Sequence, residues 1–415
     1  MGFTTRTIAT ERRLPRARGI VAAVWRTASA AAVAAFLTQG AAAQTPKKDD
    51  FQISAPYAIL IDADSGAVLY EKNADQPTYP SSMAKLMTAE VVFKAIKDGK
   101  LKLDDEITIS EAAWRRGGAP SGGSSMFAAL HSQVKVEDLL RGVIIQSGND
   151  ACIALAEAIA GNELAFSTKM TDRARELGLT KSVFTNSNGL PDPNMTVTVR
   201  ELAMLARHII RTYPDFYKIY GEREFTWNKI RQQNRNPLLA MSIGADGLKT
   251  GYTKEAGYGL VGSAVNNGLR LIMAANGFKT AGERAAESRK LLEWGFRAFE
   301  ARLLFSEGET VGEAKLYGGA QGRVPLVGTS PIRILVPRGA SEKITAKITY
   351  TGPVPTPVTK GQPIGHVKVW RGHNLALDAP LQAAEDVPRG TIYQRAFDAA
   401  TEMVIGLFRA GAERI

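Results

Sequence analysis

The spacing of apolar and polar residues changes several times along the chain, and each change marks an element. In YAILIDADSGAVLYEK, from Tyr57 to Lys72, two β-rich runs flank a turn at Asp64, Ser65 and Gly66, which predicts a hairpin. From Ser82 the apolar spacing becomes helical and runs to about Asp98, with Gly99 as the stop. Helical patterns recur from Val136 to Ile145, Asp150 to Ala160, Ala165 to Leu177 and Val199 to Arg211. Strand character returns in GLKTGY and GYGLVGSAV, and the turn from Asn266 to Gly268 leads into LRLIMAANG as a second hairpin. Two early strands and three late ones predict a single antiparallel sheet joining both ends of a domain. The helix ERAAESRKLLEWGFRAFE closes it.

From about Ala301 the texture changes. Short β-rich runs such as PIRILVP, KITAKITY and IGHVKVW recur between Gly/Pro turns, the pattern of a small all-β sandwich over 301–388. The last stretch, 389–415, carries a continuous apolar stripe that includes Ile392, Tyr393, Phe397 and Val404. Its other side is charged. Such a helix is too polar to span a membrane; it can lie on one or pack on its own domain. The predicted fold class is therefore α+β: an antiparallel sheet flanked by helices over 56–300, then the β-sandwich, then the amphipathic helix.

Charge alters the picture mainly at the start. The formal net charge is +11, but six arginines precede Ala43 against the single acid Glu11. Without them 46 basic and 40 acidic residues remain, a net of +6 with no basic cluster, which disfavours nucleic acid as a partner. An arginine-rich leader, the short apolar run TASAAAVAAFLT and small residues at Ala41 and Ala43 predict an export signal over 1–43. A polar linker, 44–55, follows. The single cysteine, Cys152, lies on a helical pattern as a small buried hydrophobe. His366 and His373 have no third ligand, so no metal or other cofactor is implied.

The candidate chemistry begins at PSSMAKLMTAE, residues 80 to 90. A serine three residues before a lysine is common, and the chain has two such pairs, Ser82–Lys85 and Ser132–Lys135. Company separates them. Ser147-Gly148-Asn149 is the only Ser-x-Asn in the chain, and Lys249-Thr250-Gly251 the only Lys-Thr-Gly. In that order the three motifs resemble the set shared by penicillin-binding proteins and serine β-lactamases. The surrounding segments (QSGNDACIALAE, FTNSNGL, IRQQNRN, DGLKTGYTKEAGYGLVGSA) are similar to the low-molecular-mass D-alanyl-D-alanine carboxypeptidases.

The residues support an acyl-transfer chemistry in their own right. A serine nucleophile needs a base, and four histidines with no Gly-x-Ser-x-Gly elbow disfavour a Ser-His-Asp hydrolase. A lysine serves if neutral. Moving its pKa from ~10.4 to ~7–8 takes roughly 3–4 kcal/mol, in the direction that burial, a second positive charge and a helix N-terminus all push. Ser82 is then the nucleophile and Lys85 the base, with Lys249 as the second charge. The resemblance implies the remaining roles. Ser147 passes a proton to the leaving amine, and Asn149 orients Lys85 and the substrate amide. Thr250, beside Gly251, binds the substrate's terminal carboxylate with Arg200, and the backbone N–H groups of Ser82 and Tyr252 form the oxyanion hole. The glycine-serine loop from Gly117 to Ser125 reads as a mobile flap near the site.

The expected function is an exported serine-type carboxypeptidase that removes the terminal D-alanine from peptidoglycan stem pentapeptides. β-Lactams would be covalent inhibitors, and the last helix would hold the enzyme on the periplasmic face of the inner membrane. Three alternatives remain at this point: a DD-endopeptidase on cross-linked peptidoglycan, a β-lactamase, and a non-catalytic wall-binding protein. The β-lactamase is disfavoured because Glu224 and Asn228, which have the spacing of its deacylating motif, lie only 25 residues before Lys249.

Overall fold

The computed structural model describes residues 4–10, 51–339, 343–372 and 374–400. Residues 4–10 form β1, antiparallel to a strand of the C-terminal sheet; the rest of the expected leader lies outside the described residues. The expected linker is already structured at its end. Phe51 stacks on Trp294 with centroids 4.5 Å apart, and Ile53 is buried.

The predicted hairpin is β2 (Tyr57–Asp62) and β3 (Val68–Lys72). A 3-10 turn, Ser81–Ala84, then leads into α1 (Lys85–Lys97). Two short strands, β4 (Glu106–Thr108) and β5 (Gln133–Lys135), precede α2 (Val136–Arg141), which continues as a π turn to Gln146. Next come α3 (Asn149–Ala160), α4 (Glu163–Glu176), α5 (Val199–Thr212) and the short α6 (Pro214–Tyr217). An accessory hairpin of β6 (Glu224–Trp227) and β7 (Ile230–Gln233) leads to β8 (Ala245–Thr253), β9 (Gly257–Asn266) and β10 (Leu269–Phe278). The helix α7 (Ala281–Ala298) ends the domain.

The main sheet has the order β3-β2-β10-β9-β8, antiparallel throughout, so the first and last strands of the domain do share one sheet. Alternation along a strand sends successive side chains to opposite faces. Ile59 and Ile61 of β2, with Ile272 and Ala274 of β10, join the core under α1, α3 and α5. Their neighbours Ala58, Leu60, Leu271 and Met273 join a second core under α7. Gly295 lets α7 approach closely, because a Cβ there would lie 2.6 Å from Leu60.

The C-terminal part comprises β11 (Phe299–Phe305), β12 (Thr310–Tyr317), β13 (Arg323–Gly328), β14 (Ile332–Pro337), β15 (Ile344–Gly352), β16 (Val354–Pro355), β17 (Pro363–Arg371) and β18 (Asn374–Ala383). Its larger sheet runs β1-β15-β17-β18-β13-β12-β16, and β11 pairs with β14 as a separate ribbon. Ile332, Ile334 and Val336 of β14 enter the β-domain core, while Leu335 between them enters the core under α7. One strand thus belongs to both hydrophobic interiors. An ion pair between Arg333 and Asp64, 2.6 Å, adds a polar tie between the domains.

Candidate active site

The site forms where the 3-10 turn, α1, the start of α3, β8 and the loop 186–190 meet. Pro80 precedes the turn, and Asn276 of β10 steadies the approach by donating to the Tyr79 carbonyl (2.9 Å) and to Thr78 Oγ1 (3.1 Å). Residues three apart in a helix share a face, which places Ser82 and Lys85 together. Lys85 Nζ lies 3.0 Å from Ser82 Oγ, 2.8 Å from Asn149 Oδ1 and 2.6 Å from the Asn188 carbonyl. Those three acceptors match the three N–H bonds of an ammonium. In the neutral amine, a lone pair replaces the N–H that faces Ser82 and can accept the hydroxyl proton.

Glycines allow the close approach of the flanking segments. Gly189 has φ +82°, and a Cβ on it would lie 1.8 Å from the Ser81 carbonyl oxygen. The loop 186–190 is therefore pressed against the serine turn. On the other side, a Cβ at Gly251 would lie 3.0 Å from the Pro80 carbonyl and 3.1 Å from Ser81 Cβ. β8 accordingly runs along the turn, with Lys249 and Thr250 buried and Tyr252 half exposed. The Tyr252 ring stacks on Tyr258 with centroids 4.2 Å apart, and the Arg284 guanidinium lies over the Tyr258 ring. Ser147 adopts a left-handed conformation, φ 67°, at the end of the π turn. Its Oγ is buried and has no hydrogen-bond partner among the described residues.

The electrostatics favour a neutral amine. Burial pushes Lys85 down to about 8; the Arg235 charge acts in the same direction, whereas the carboxylates of Asp150 and Glu163 oppose it. Lys249 is held well below the ordinary lysine value by burial, then by the charges of Lys85 and Arg235. Two buried ammonium groups in one site repel each other, so the Lys85 charge makes Lys249 easier to deprotonate. Cys152 is buried close by, and burial raises its thiol to about 12, which keeps it protonated and inert.

Two expectations need correction. Arg200 does not point its charge to this site. Its guanidinium is engaged by Asp75, with contacts of 3.0 and 2.8 Å, and by Glu71, at the junction of α5 with the end of β3. Arg235 is the arginine the structure brings in: it donates to Ser124 Oγ (2.7 Å) and its charge bears on both lysines. The available signal was its segment, IRQQNRN, just ahead of the Lys-Thr-Gly strand. The expected flap, 117–125, is anchored at its C-terminal end, while 119–123 stay exposed. The Asn149 N–H donates to the Ser124 carbonyl (2.8 Å), and Asp150 accepts from Ser125 Oγ (2.6 Å) and the Met126 N–H (2.9 Å).

The second Ser-x-x-Lys pair stays apart from all this. Ser132 Oγ donates to the Ala129 carbonyl in its own turn, and Lys135 is exposed at the end of β5. Glu224 is no deacylating group here: it lies on the accessory hairpin, paired with Arg231.

Comparison with known proteins decides between the remaining classes. Residues 41–280 match the family described as D-alanyl-D-alanine carboxypeptidase, peptidase family S11. The chain belongs to this family. Residues 299–389 match the C-terminal domain of penicillin-binding protein 5. Among its relatives is D-alanyl-D-alanine carboxypeptidase DacA of Haemophilus influenzae, 42% identical over 360 residues, covering 86% of this chain and 91% of the relative. DacC of Escherichia coli is 42% identical over 343 residues, covering 82% and 86%. The crystal structure of penicillin-binding protein 5 from Haemophilus influenzae superposes with a TM-score of 0.71, spanning 82% of this chain and 99% of that one. The protein is accordingly a serine-type D-alanyl-D-alanine carboxypeptidase of cell-wall metabolism, with the penicillin-binding domain followed by the β-domain.

Proposed function

We propose that this carboxypeptidase removes the terminal D-alanine of stem pentapeptides through an acyl-enzyme on Ser82, and that it does so on the periplasmic face of the inner membrane. The observation that carries the assignment is the contact of Ser82 Oγ with a buried lysine whose pKa is brought down to about 8. Ser82 Oγ attacks the carbonyl carbon of the penultimate D-alanine, and its proton moves to Lys85 Nζ. The C–N bond to the last D-alanine then breaks, with Ser147 passing a proton to the leaving amine. Water hydrolyses the ester and restores Ser82. Asn149 holds Lys85, and the backbone N–H groups of Ser82 and Tyr252 receive the oxyanion, where one donor is worth ~2.7–4 kcal/mol. Thr250, Gly251 and Lys249 line the place for the terminal carboxylate, with Arg235 in the role expected of Arg200. A β-lactam acylates the same serine.

Two features support export and attachment. The family match begins at residue 41, close to the expected cleavage after Ala43, which would remove residues 4–10 and leave β15 at the edge of its sheet. The described part of the last helix, 392–400, exposes Ile392, Tyr393 and Phe397 at 78%, 87% and 74%, while Asp398 on its other side accepts from the Gly318 N–H (2.8 Å). An apolar face turned outward suits the interface of a bilayer.

The deciding experiment measures D-alanine release from diacetyl-L-lysyl-D-alanyl-D-alanine beside Ser82→Ala. Release by the parent and none by the variant, with loss of the penicillin adduct, is the expected result. Cleavage of cross-linked dimers without D-alanine release would shift the reading to the endopeptidase. Release that persists in the variant would remove Ser82 as nucleophile.

A further inference from the structure

Glu163 is the first residue of α4, directly after the N-cap Asn162. Its carboxylate is nearly enclosed and both oxygens are engaged. Oε1 accepts from the Ser187 N–H (3.2 Å), Ser187 Oγ (2.7 Å) and Asn188 Nδ2 (3.3 Å), and Oε2 accepts from Arg116 (3.0 Å). These bonds hold the loop 186–190, and the Asn188 carbonyl of that loop is the 2.6 Å partner of Lys85 Nζ. Thr88 also donates to the Ser187 carbonyl, but it sits on α1 with Lys85. Glu163 ties the loop to a different element.

We propose that Glu163 is a positioning residue for acyl transfer: by fixing Ser187 and Asn188 it sets where the Lys85 amine stands relative to Ser82 Oγ. This rests on the reading of Lys85 as the base. The groups facing Lys85 are Asp150 and Cys152 of α3, Lys249 of β8, Arg235 and Glu163 itself, and Arg116 faces Glu163. Asp150 and Glu163 favour the charged amine, and Arg235 disfavours it. Loss of the Glu163 charge lets Lys85 release its proton at lower pH. Loss of the tether slows acylation at every pH. The two effects are separable, because glutamine keeps an oxygen for Ser187 without the charge, whereas alanine keeps neither.

The test measures D-alanine release and acylation by a fluorescent penicillin against pH for the parent chain, Glu163→Gln and Glu163→Ala, with thermal melts of each. The rising limb of kcat/KM in Glu163→Gln is expected at lower pH than in the parent. Glu163→Ala is expected to lose about tenfold or more in kcat with little change in KM, the signature of misplaced reacting groups. A parent-like limb in Glu163→Gln together with parent-like kcat in Glu163→Ala would overturn the proposal. Should the alanine variant fail to fold, Ser187→Ala, which removes the 2.7 Å tether bond and keeps the Glu163 charge, decides by whether kcat falls at unchanged limb position. Lys85→Ala serves as the control. Intact acylation in it overturns the base assignment, while lost acylation beside unaltered Glu163 variants overturns only the role of Glu163.

Discussion

Arg235 acts on two properties of the site at once. Its charge lowers the Lys85 pKa and adds to the positive field where a substrate carboxylate would sit. A base must be deprotonated to act, so kcat/KM should rise with pH through about 8, where Lys85 loses its proton. In Arg235→Gln the loss of a neighbouring cation favours the ammonium, so the limb should move to higher pH while KM rises. A pH profile of D-alanine release checks both; an unmoved limb would remove Arg235 as an electrostatic partner of Lys85. At this scale the sequence was informative where chemistry dictates spacing. Ser82 and Lys85 are one helical turn apart, so their contact is local and legible. Arg235 reaches the site through the return of a loop against Ser124, and Arg200 is drawn away by Glu71 and Asp75, residues more than a hundred positions distant in the chain. Periodicity carries no information about either partnership.

Among the elements, the loop 186–190 and β8 clasp the serine turn from two sides through Gly189 and Gly251. Gly189→Ala would need both a left-handed alanine and relief of a 1.8 Å overlap with the Ser81 carbonyl. Stability should fall by about 2–4 kcal/mol, and penicillin acylation should fall with it. A denaturant melt and an adduct time course measure the two, and unchanged values in both would show that the loop yields easily. The strands and helices themselves were legible: β2 and β10, buried on both faces, stand out as continuous β-rich runs beside turns, and α5 as apolar residues at helical spacing. The anchoring of 117–125 was not. Glycine and serine content suggested a flap, whereas hydrogen bonds from the N-terminal residues of α3 hold its C-terminal end.

For the whole molecule, the last helix is held to the turn between β12 and β13 by Asp398 and Gln394 and carries exposed Ile392, Tyr393 and Phe397. A chain ending at Arg389 should remain in the supernatant when sedimented with phospholipid vesicles, and should release D-alanine at the full-length rate in solution. Continued co-sedimentation would refute attachment through this helix. The two-domain division was visible in the sequence as a change of texture near Ala301, and β11 begins at Phe299. The intimacy of the two domains was not visible, because the alternation in PIRILVP reads as one buried face and one solvent face. In the folded chain the second face meets another core through Leu335.

That shared strand has a mechanical meaning. A stalk joined to its head by a loose tether lets the head wander over a wide range of depths in the wall. Here Leu335 is driven into the head while Ile334 and Val336 stay in the stalk, and Arg333 clips the joint to Asp64. Bending at this junction would uncover apolar surface on both sides. With the last helix resting on a bilayer, Ser82 would work at a nearly constant height and patrol a thin layer of peptidoglycan parallel to the membrane.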